Sequence, residues 1–158
     1  MKIDEIANRI DRVSRHLYLS GAISDYDKLY EMGINIVINC RAEQHDDIVE
    51  LTRRGIAYYW IPIMDFNGPR FDQLDSFIGI LKENIETKRI LVHCAVGVGR
   101  SAMLVLSYNM VMNKTPIERA IEELKDVRQI VVLSEVQEKK LRKYLKYLSN
   151  DRDIEKVV

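Results

Sequence analysis

Hydrophobic and polar positions along this chain follow two rhythms that take turns. Ile3, Ile6, Ala7 and Ile10 recur at helical spacing, so residues 2–10 are expected to form a short amphipathic helix. Leu17-Tyr18-Leu19 reads as a brief strand ending at the turn pair Ser20-Gly21. Ser24 is placed to cap a helix that reaches Met32, with Gly33 as its stop. The β-branched run Ile34 to Asn39 predicts a strand, residues 46–54 a helix stopping at Gly55, and Ala57 to Ile63 a further strand. Phe71, Leu74, Phe77, Ile78, Leu81 and Ile85 share one helical face, and Arg89 to His93 is a short apolar strand of the buried type. Residues 101–113 are apolar nearly all round, which predicts a helix inside the molecule. Pro116 suits the first turn of the next helix, and Leu141, Tyr144, Leu145 and Leu148 give the last helix a core face.

Strands alternating with helices predict an α/β fold. The expected core is a central, largely parallel four- to five-stranded sheet flanked by helices on both faces. The 158 residues fit a single domain, 1–158, with its core at 13–148 and a charged C-terminal tail at 150–158 expected to fray. Ligands of such sheets bind beyond the carboxyl ends of the strands, which points to the segments after Asn39, Ile63 and His93.

Composition then removes several classes. The chain is 47% hydrophobic and 30% charged, enough for a real core and a solvated surface. Lys plus Arg (24) equals Asp plus Glu (24), so no basic excess argues for nucleic acid or an anionic membrane. Two cysteines are too few for a disulfide scaffold, and three scattered histidines show no metal-ligand spacing. The N-terminus carries acid where a signal peptide needs an apolar run, and no stretch approaches the roughly 20 apolar residues that span a bilayer. The end, Glu-Lys-Val-Val, carries no lipidation signal. A cytoplasmic protein is expected, with no metal and no cofactor.

The segment His93-Cys94-Ala95-Val96-Gly97-Val98-Gly99-Arg100-Ser101 joins a strand to a helix and carries the candidate chemistry. A loop entering a helix N-terminus offers backbone N–H groups that lack helical partners. Gly97 and Gly99 allow it to curl into an anion nest, and Arg100 adds a planar fork for two oxygens of a tetrahedral anion. Cys94 lies at the base of the same positive field, which should lower its pKa from about 8.5 into the range of roughly 3.5–7.5. A thiolate beneath a phosphate cradle describes nucleophilic attack on a phosphate ester.

His93-Cys94, five residues and Arg100-Ser101 resemble the signature of the cysteine-based protein tyrosine phosphatases, and the loop most resembles the dual-specificity branch. The resemblance extends over roughly residues 13 to 148. It includes Val13, the segment His16 to Gly21, Ile61 to Phe66, Ile117 to Arg128, Ser134 and Gln137. It implies catalytic roles for Cys94 as nucleophile, Asp65 as general acid and base, Arg100 with the amides of Ala95, Val96, Gly97, Val98 and Gly99 as phosphate ligands, and Ser101 as partner of the departing sulfur. His93 would support the loop. The implied substrate is a phosphorylated protein, carrying phosphotyrosine and also phosphoserine or phosphothreonine, acted on by a monomer that binds neither nucleic acid nor membrane.

Two departures stand out. The family's closing segment carries Arg-Pro where this chain has Arg128-Gln129, which leaves open the role of Gln137 in placing water. No tryptophan precedes Asp65, so a large hinged closure is not implied. Asp72 and Asp75 are rival acids that read equally as residues of a helix's solvated face, and His93 could serve packing alone. Cys40 ends a strand near the site. The resemblance suggests a regulatory disulfide with Cys94, whereas its position, one residue out of register, suits a merely buried cysteine. The run Lys139, Lys140, Arg142, Lys143, Lys146 reads as a solvated helix face. Other readings of the same signature are a phosphoinositide or RNA 5′-phosphate phosphatase, a phosphate-binding module without turnover, and a thiol-based arsenate reductase. The neutral Ala95, Val96 and Val98 weigh against the phosphoinositide reading, and Cys40 is the only candidate resolving thiol for the reductase.

Overall fold

A computed structural model describes residues 2–65 and 68–157. Its elements are α1 (Ile3–Ala7), β1 (Asp11–Ser14), β2 (Leu17–Ser20), α2 (Tyr26–Glu31), β3 (Ile34–Arg41), α3 (Ile48–Arg53), β4 (Ala57–Ile63), α4 (Phe71–Asn84), β5 (Arg89–His93), α5 (Arg100–Met112), α6 (Ile117–Val127) and α7 (Glu135–Val157). They build a five-stranded sheet of order β1-β2-β5-β3-β4. The β2–β5, β5–β3 and β3–β4 pairs are parallel, and β1 adds an antiparallel edge.

Side-chain alternation divides the core between the two faces of the sheet. Ile36, Ile38 and Cys40 of β3 join Ile90 and Val92 of β5, and then Cys94, in one large cluster with α4, α5, α6 and α7. Val37 and Leu91 point the other way, against Leu29 of α2 and Leu51 of α3. Helix α5 is buried on every side from Arg100 to Met110, in keeping with its largely apolar sequence. It packs against α4, α6, α7, β2 and β5, so the segment leading into it is anchored from several directions.

The N-terminal pattern folds differently from its reading. Helix α1 ends at Ala7, and Ile10 leads into β1 rather than closing a helix. The polar stretch Asp11–Ser14 lacks strand periodicity, and its strand is formed by antiparallel pairing with β2 across a turn in which His16 adopts φ +62°. Asp25, not Ser24, caps α2, accepting from the Lys28 N–H at 3.0 Å. Helix α3 starts at Ile48 instead of 46, because Asp47 caps it and frees Asp46 for a buried role. Residues 150–157, read as a fraying tail, continue the backbone helix of α7.

Candidate active site

The carboxyl ends of the parallel strands β5, β3 and β4 converge on one rim, as the fold class requires. β5 delivers Cys94, the segment after β4 delivers Asp65, and the segment after β3 delivers Glu43. The loop from Cys94 to Gly99 then turns into α5, whose first residue is Arg100. The Ala22 N–H donates to the Ala95 carbonyl at 3.0 Å and ties the loop to the chain beyond β2. Gly97 has φ +75°, and a Cβ there would collide with the Ser20 carbonyl. Gly99 lies in open space at the helix N-cap, so the conformational demand falls on Gly97 rather than on both glycines.

Cys94 is 3% exposed, and its Sγ lies 3.1 Å from Ser101 Oγ and 3.2 Å from the Gly97 N–H. Burial opposes ionisation of the thiol. It is outweighed by the Ser101 hydroxyl and by backbone N–H groups of Ser101, Gly97 and Val96, so the pKa is lowered from its ordinary value. The predicted field at the loop is therefore built mainly from hydrogen bonds aimed at sulfur. Cys40 faces the same core cluster and is equally a free thiol. Its burial, and next the neighbouring Cys94, push its pKa well up, so it stays protonated.

Arg100 is almost fully buried, and its guanidinium is held in place by three elements. Its two terminal nitrogens meet Glu43 in a fork-to-fork pair at 2.7 and 2.8 Å, and one also donates to the Ile63 carbonyl at 2.9 Å. Its Nε lies 3.6 Å from Asp65 Oδ1. Hydrogen bonding to Arg100 is the largest cause holding the Glu43 carboxyl down at a pKa of about 2. Sequence reading passed over Glu43, whose partner Arg100 lies 57 residues further along the chain.

Asp65 is exposed and borders the same cavity as Cys94. That cavity measures about 490 Å³ and is also lined by Ala95, Val96, Val98, Gly99 and Arg100, with Val132, Ser134 and Gln137 on its far side. The rival acids lie elsewhere: Asp72 pairs with Arg70 at 3.0 Å, and Asp75 accepts from the Tyr144 hydroxyl. Phe66 and Asn67 of the acid segment fall outside the described residues. Gln137 reaches the cavity wall while its Oε1 accepts from the Ser134 N–H at 3.0 Å and its own N–H donates to Ser134 Oγ. The pair forms the reciprocal cap of α7. Of the basic run on α7, Lys140 is half-buried and the other four are exposed.

Two supports lie beneath the loop. His93 is fully buried on the side opposite Cys94, with Nε2 2.6 Å from Asp46 Oδ2 and Nδ1 3.2 Å from the Cys94 carbonyl. Arg128 is fully buried at the end of α6 and holds the loop from outside. Its Nε donates to the Gly97 carbonyl at 2.8 Å and its terminal nitrogens reach the Val96 carbonyl (2.6 Å), the Arg9 carbonyl (3.0 Å) and Asp11 (2.9 Å). Glutamine at position 129 therefore leaves Arg128 in place against the loop. The sequence named Arg128 only as part of a similar segment, because its partners lie more than 30 residues away in each case.

A thiol of lowered pKa, a forked arginine and an exposed carboxylate thus border one cavity at the rim of this sheet. Residues 17–147 match the family model of the dual specificity phosphatase catalytic domain, and the chain belongs to that family. It is 32% identical over 131 residues to dual specificity protein phosphatase 13B of Homo sapiens, covering 78% of this chain and 66% of that protein. It is 31% identical over 131 residues to dual specificity protein phosphatase 26 of Bos taurus, covering 78% and 62%. The chain thus spans just under two thirds of the length of these curated relatives. Among solved structures, Tk-PTP in its active form superposes with a TM-score of 0.73 at 23% identity, covering 89% of this chain and 96% of that one. PTPMT1 in complex with PI(5)P superposes with a TM-score of 0.81 at 17% identity, covering 90% and 98%. At those identities the two superpositions speak for the fold. No helix among the described residues is long and apolar enough to cross a membrane.

Proposed function

We propose that the chain hydrolyses phosphomonoesters on protein substrates, phosphotyrosine first and phosphoserine or phosphothreonine second, through a phosphocysteine intermediate. The observation that carries this reading is Cys94 Sγ, turned toward the thiolate by Ser101 and the loop amides and sharing a cavity with Arg100 and Asp65. In the first step the S–P bond forms and the ester P–O bond breaks, with the Asp65 carboxyl giving its proton to the leaving oxygen. In the second step Asp65 takes a proton from water, the new O–P bond forms and the S–P bond breaks. The Ser101 hydroxyl then steadies the sulfur as a thiolate. Arg100 and the amides of residues 95–100 hold the equatorial oxygens throughout.

We take the enzyme to act as a monomer. A thiolate nucleophile needs a reducing compartment, which supports a cytoplasmic setting. The neutral Ala95, Val96 and Val98 on the cavity wall favour a phosphoprotein over a more highly charged phosphoinositide or an RNA 5′-phosphate. The test is hydrolysis of para-nitrophenyl phosphate with and without EDTA, followed by phosphopeptides, a phosphoinositide and a 5′-phosphorylated RNA. Activity should ignore EDTA, vanish in Cys94→Ser and fall roughly 10²–10⁴-fold in Asp65→Asn. Full turnover in Cys94→Ser would end the proposal, and a reduced wild type without turnover would mark a binding module instead.

A further inference from the structure

Three successive carbonyls of the loop are held from outside it. The Ala95 carbonyl accepts from the Ala22 N–H, and Arg128 donates to the carbonyls of Val96 and Gly97 at 2.6 and 2.8 Å. Across a planar trans peptide bond the carbonyl and the next N–H point in opposite directions. Holding these carbonyls therefore turns the N–H groups of Val96, Gly97 and Val98 inward. The Gly97 N–H accordingly reaches Cys94 Sγ at 3.2 Å, and Val96 donates to the same sulfur. Two of the three peptide planes, those that carry the Gly97 and Val98 N–H groups, depend on where Arg128 keeps its guanidinium.

Arg128 is in turn held by a segment that lies ahead of the stretch 17–147 matched by the family model. β1 runs antiparallel to β2, so its first residue, Asp11, pairs with Leu19 near the carboxyl end of β2, on the rim where β5 delivers Cys94. Asp11 Oδ2 accepts from Arg128 Nη1 at 2.9 Å, and Oδ1 meets Arg9 Nε at 2.8 Å. The Arg9 carbonyl takes a further bond from the same Nη1 at 3.0 Å. The Ala7 carbonyl takes the Gly21 N–H, one residue before the tie from Ala22 to the loop. A Cβ on Gly21 would lie 2.7 Å from the Ala7 oxygen and 2.8 Å from the Ala95 oxygen, so the N-terminal segment and the loop pinch this residue between them.

Among the described residues Asp11 is the one carboxylate paired with Arg128, and it stands between two guanidiniums. Burial lowers the pKa of Arg128, and the bond from Asp11 is the strongest influence opposing that. Without Asp11 the buried guanidinium would face Arg9 with no countercharge. We infer that Asp11 is a positioning residue: from the N-terminal strand it fixes Arg128, and through Arg128 it aims the Gly97 and Val98 N–H groups into the phosphate cradle. The inference rests on the proposed reading of this loop as a phosphate site, and its test needs no turnover.

Inorganic phosphate should protect Cys94 from iodoacetamide, and alkylation reports Cys94 because Cys40 is fully buried and held protonated. Well below the Tm of each protein, Asp11→Asn should need roughly three- to tenfold more phosphate for half protection, a factor of the size one hydrogen bond carries. Asp11→Glu keeps a charged acceptor and should restore most of that affinity. Because Asp11 acts through Arg128, adding Asp11→Asn to Arg128→Met should shift the curve by less than about twofold further. A lowered Tm in Asp11→Asn with an unchanged phosphate curve would make Asp11 structural only and overturn the inference. Effects of the two substitutions that simply add would overturn it as well. If Asp11→Asn does not fold, proton–nitrogen NMR of the wild type decides: the Arg128 Nη1 protons should be resolved and slow to exchange, and a freely rotating, rapidly exchanging guanidinium would overturn the inference. A wild type that phosphate does not protect would overturn the phosphate-site reading and the inference with it. Loss of turnover in Cys94→Ser tests the phosphatase reading separately.

Discussion

Replacing Arg128 by methionine keeps most of the side-chain volume and removes every guanidinium donor. Four acceptors lose their partner: the carbonyls of Val96, Gly97 and Arg9, and the Asp11 carboxylate. Asp11 retains Arg9 at 2.8 Å and is partly exposed, so its loss is cushioned by water. The Val96 and Gly97 carbonyls are held by Arg128, and each unsatisfied buried acceptor costs about 1–3 kcal/mol. Breaking a buried pair by removing one member typically costs about 3–5 kcal/mol in total, which agrees with that sum. For a chain of this length the expected fall in Tm is about 6–20 °C. The released loop no longer aims its amides at the phosphate oxygens, so kcat/KM measured well below the new Tm should fall roughly 10- to 100-fold. Differential scanning calorimetry and para-nitrophenyl phosphate turnover at low temperature check both. A Tm within 2 °C of wild type together with unchanged kcat/KM would show that Arg128 does not hold the loop.

Gly97→Ala should lose about 1–2 kcal/mol to the left-handed backbone alone, and more to the collision with Ser20, with alkylation of Cys94 shifted to higher pH as its Sγ loses an N–H donor. Glu43→Gln should destabilise at pH 7. Its carboxyl has a folded pKa of about 2 against an ordinary 4.5, so the stability it adds is fully present above about pH 4.5 and is lost as pH falls toward 2. The Tm difference between wild type and Glu43→Gln should therefore shrink across that window; a difference constant down to pH 2 would refute the pairing with Arg100.

Strand and helix positions were legible wherever the apolar rhythm is strong. β4 and β5 fall at their expected bounds, and α4 and α5 within a residue or two; burial of β5 on both faces and of α5 all round leaves few alternatives there, and the single apolar face of α4 has clear helical spacing. The misses lie where tertiary contacts outvote local pattern. β1 exists through pairing with β2, and Asp25 takes a cap that Ser24 was equally suited to provide. The candidate site was legible as far as one contiguous motif reaches. Cys94, Arg100 and Ser101 are neighbours in sequence, and their geometry follows from a strand, a tight loop and a helix start. Glu43, Asp46 and Arg128 were not legible as site residues, since each meets the loop or its flanking residues across 31 to 57 positions of chain. Asp46 was further disguised by reading as the first turn of a helix whose cap is its neighbour Asp47.

The central claim is that sulfur of Cys94 carries the phosphoryl group between two half-reactions. Rapid acid quench of the enzyme turning over a phosphotyrosyl peptide, followed by peptide mapping, addresses it directly. The account predicts one phosphoryl group on the peptide containing Cys94, formed in a burst before free phosphate appears, and absent in Cys94→Ser. Steady release of phosphate with no phosphorylated Cys94 peptide at any time would contradict it.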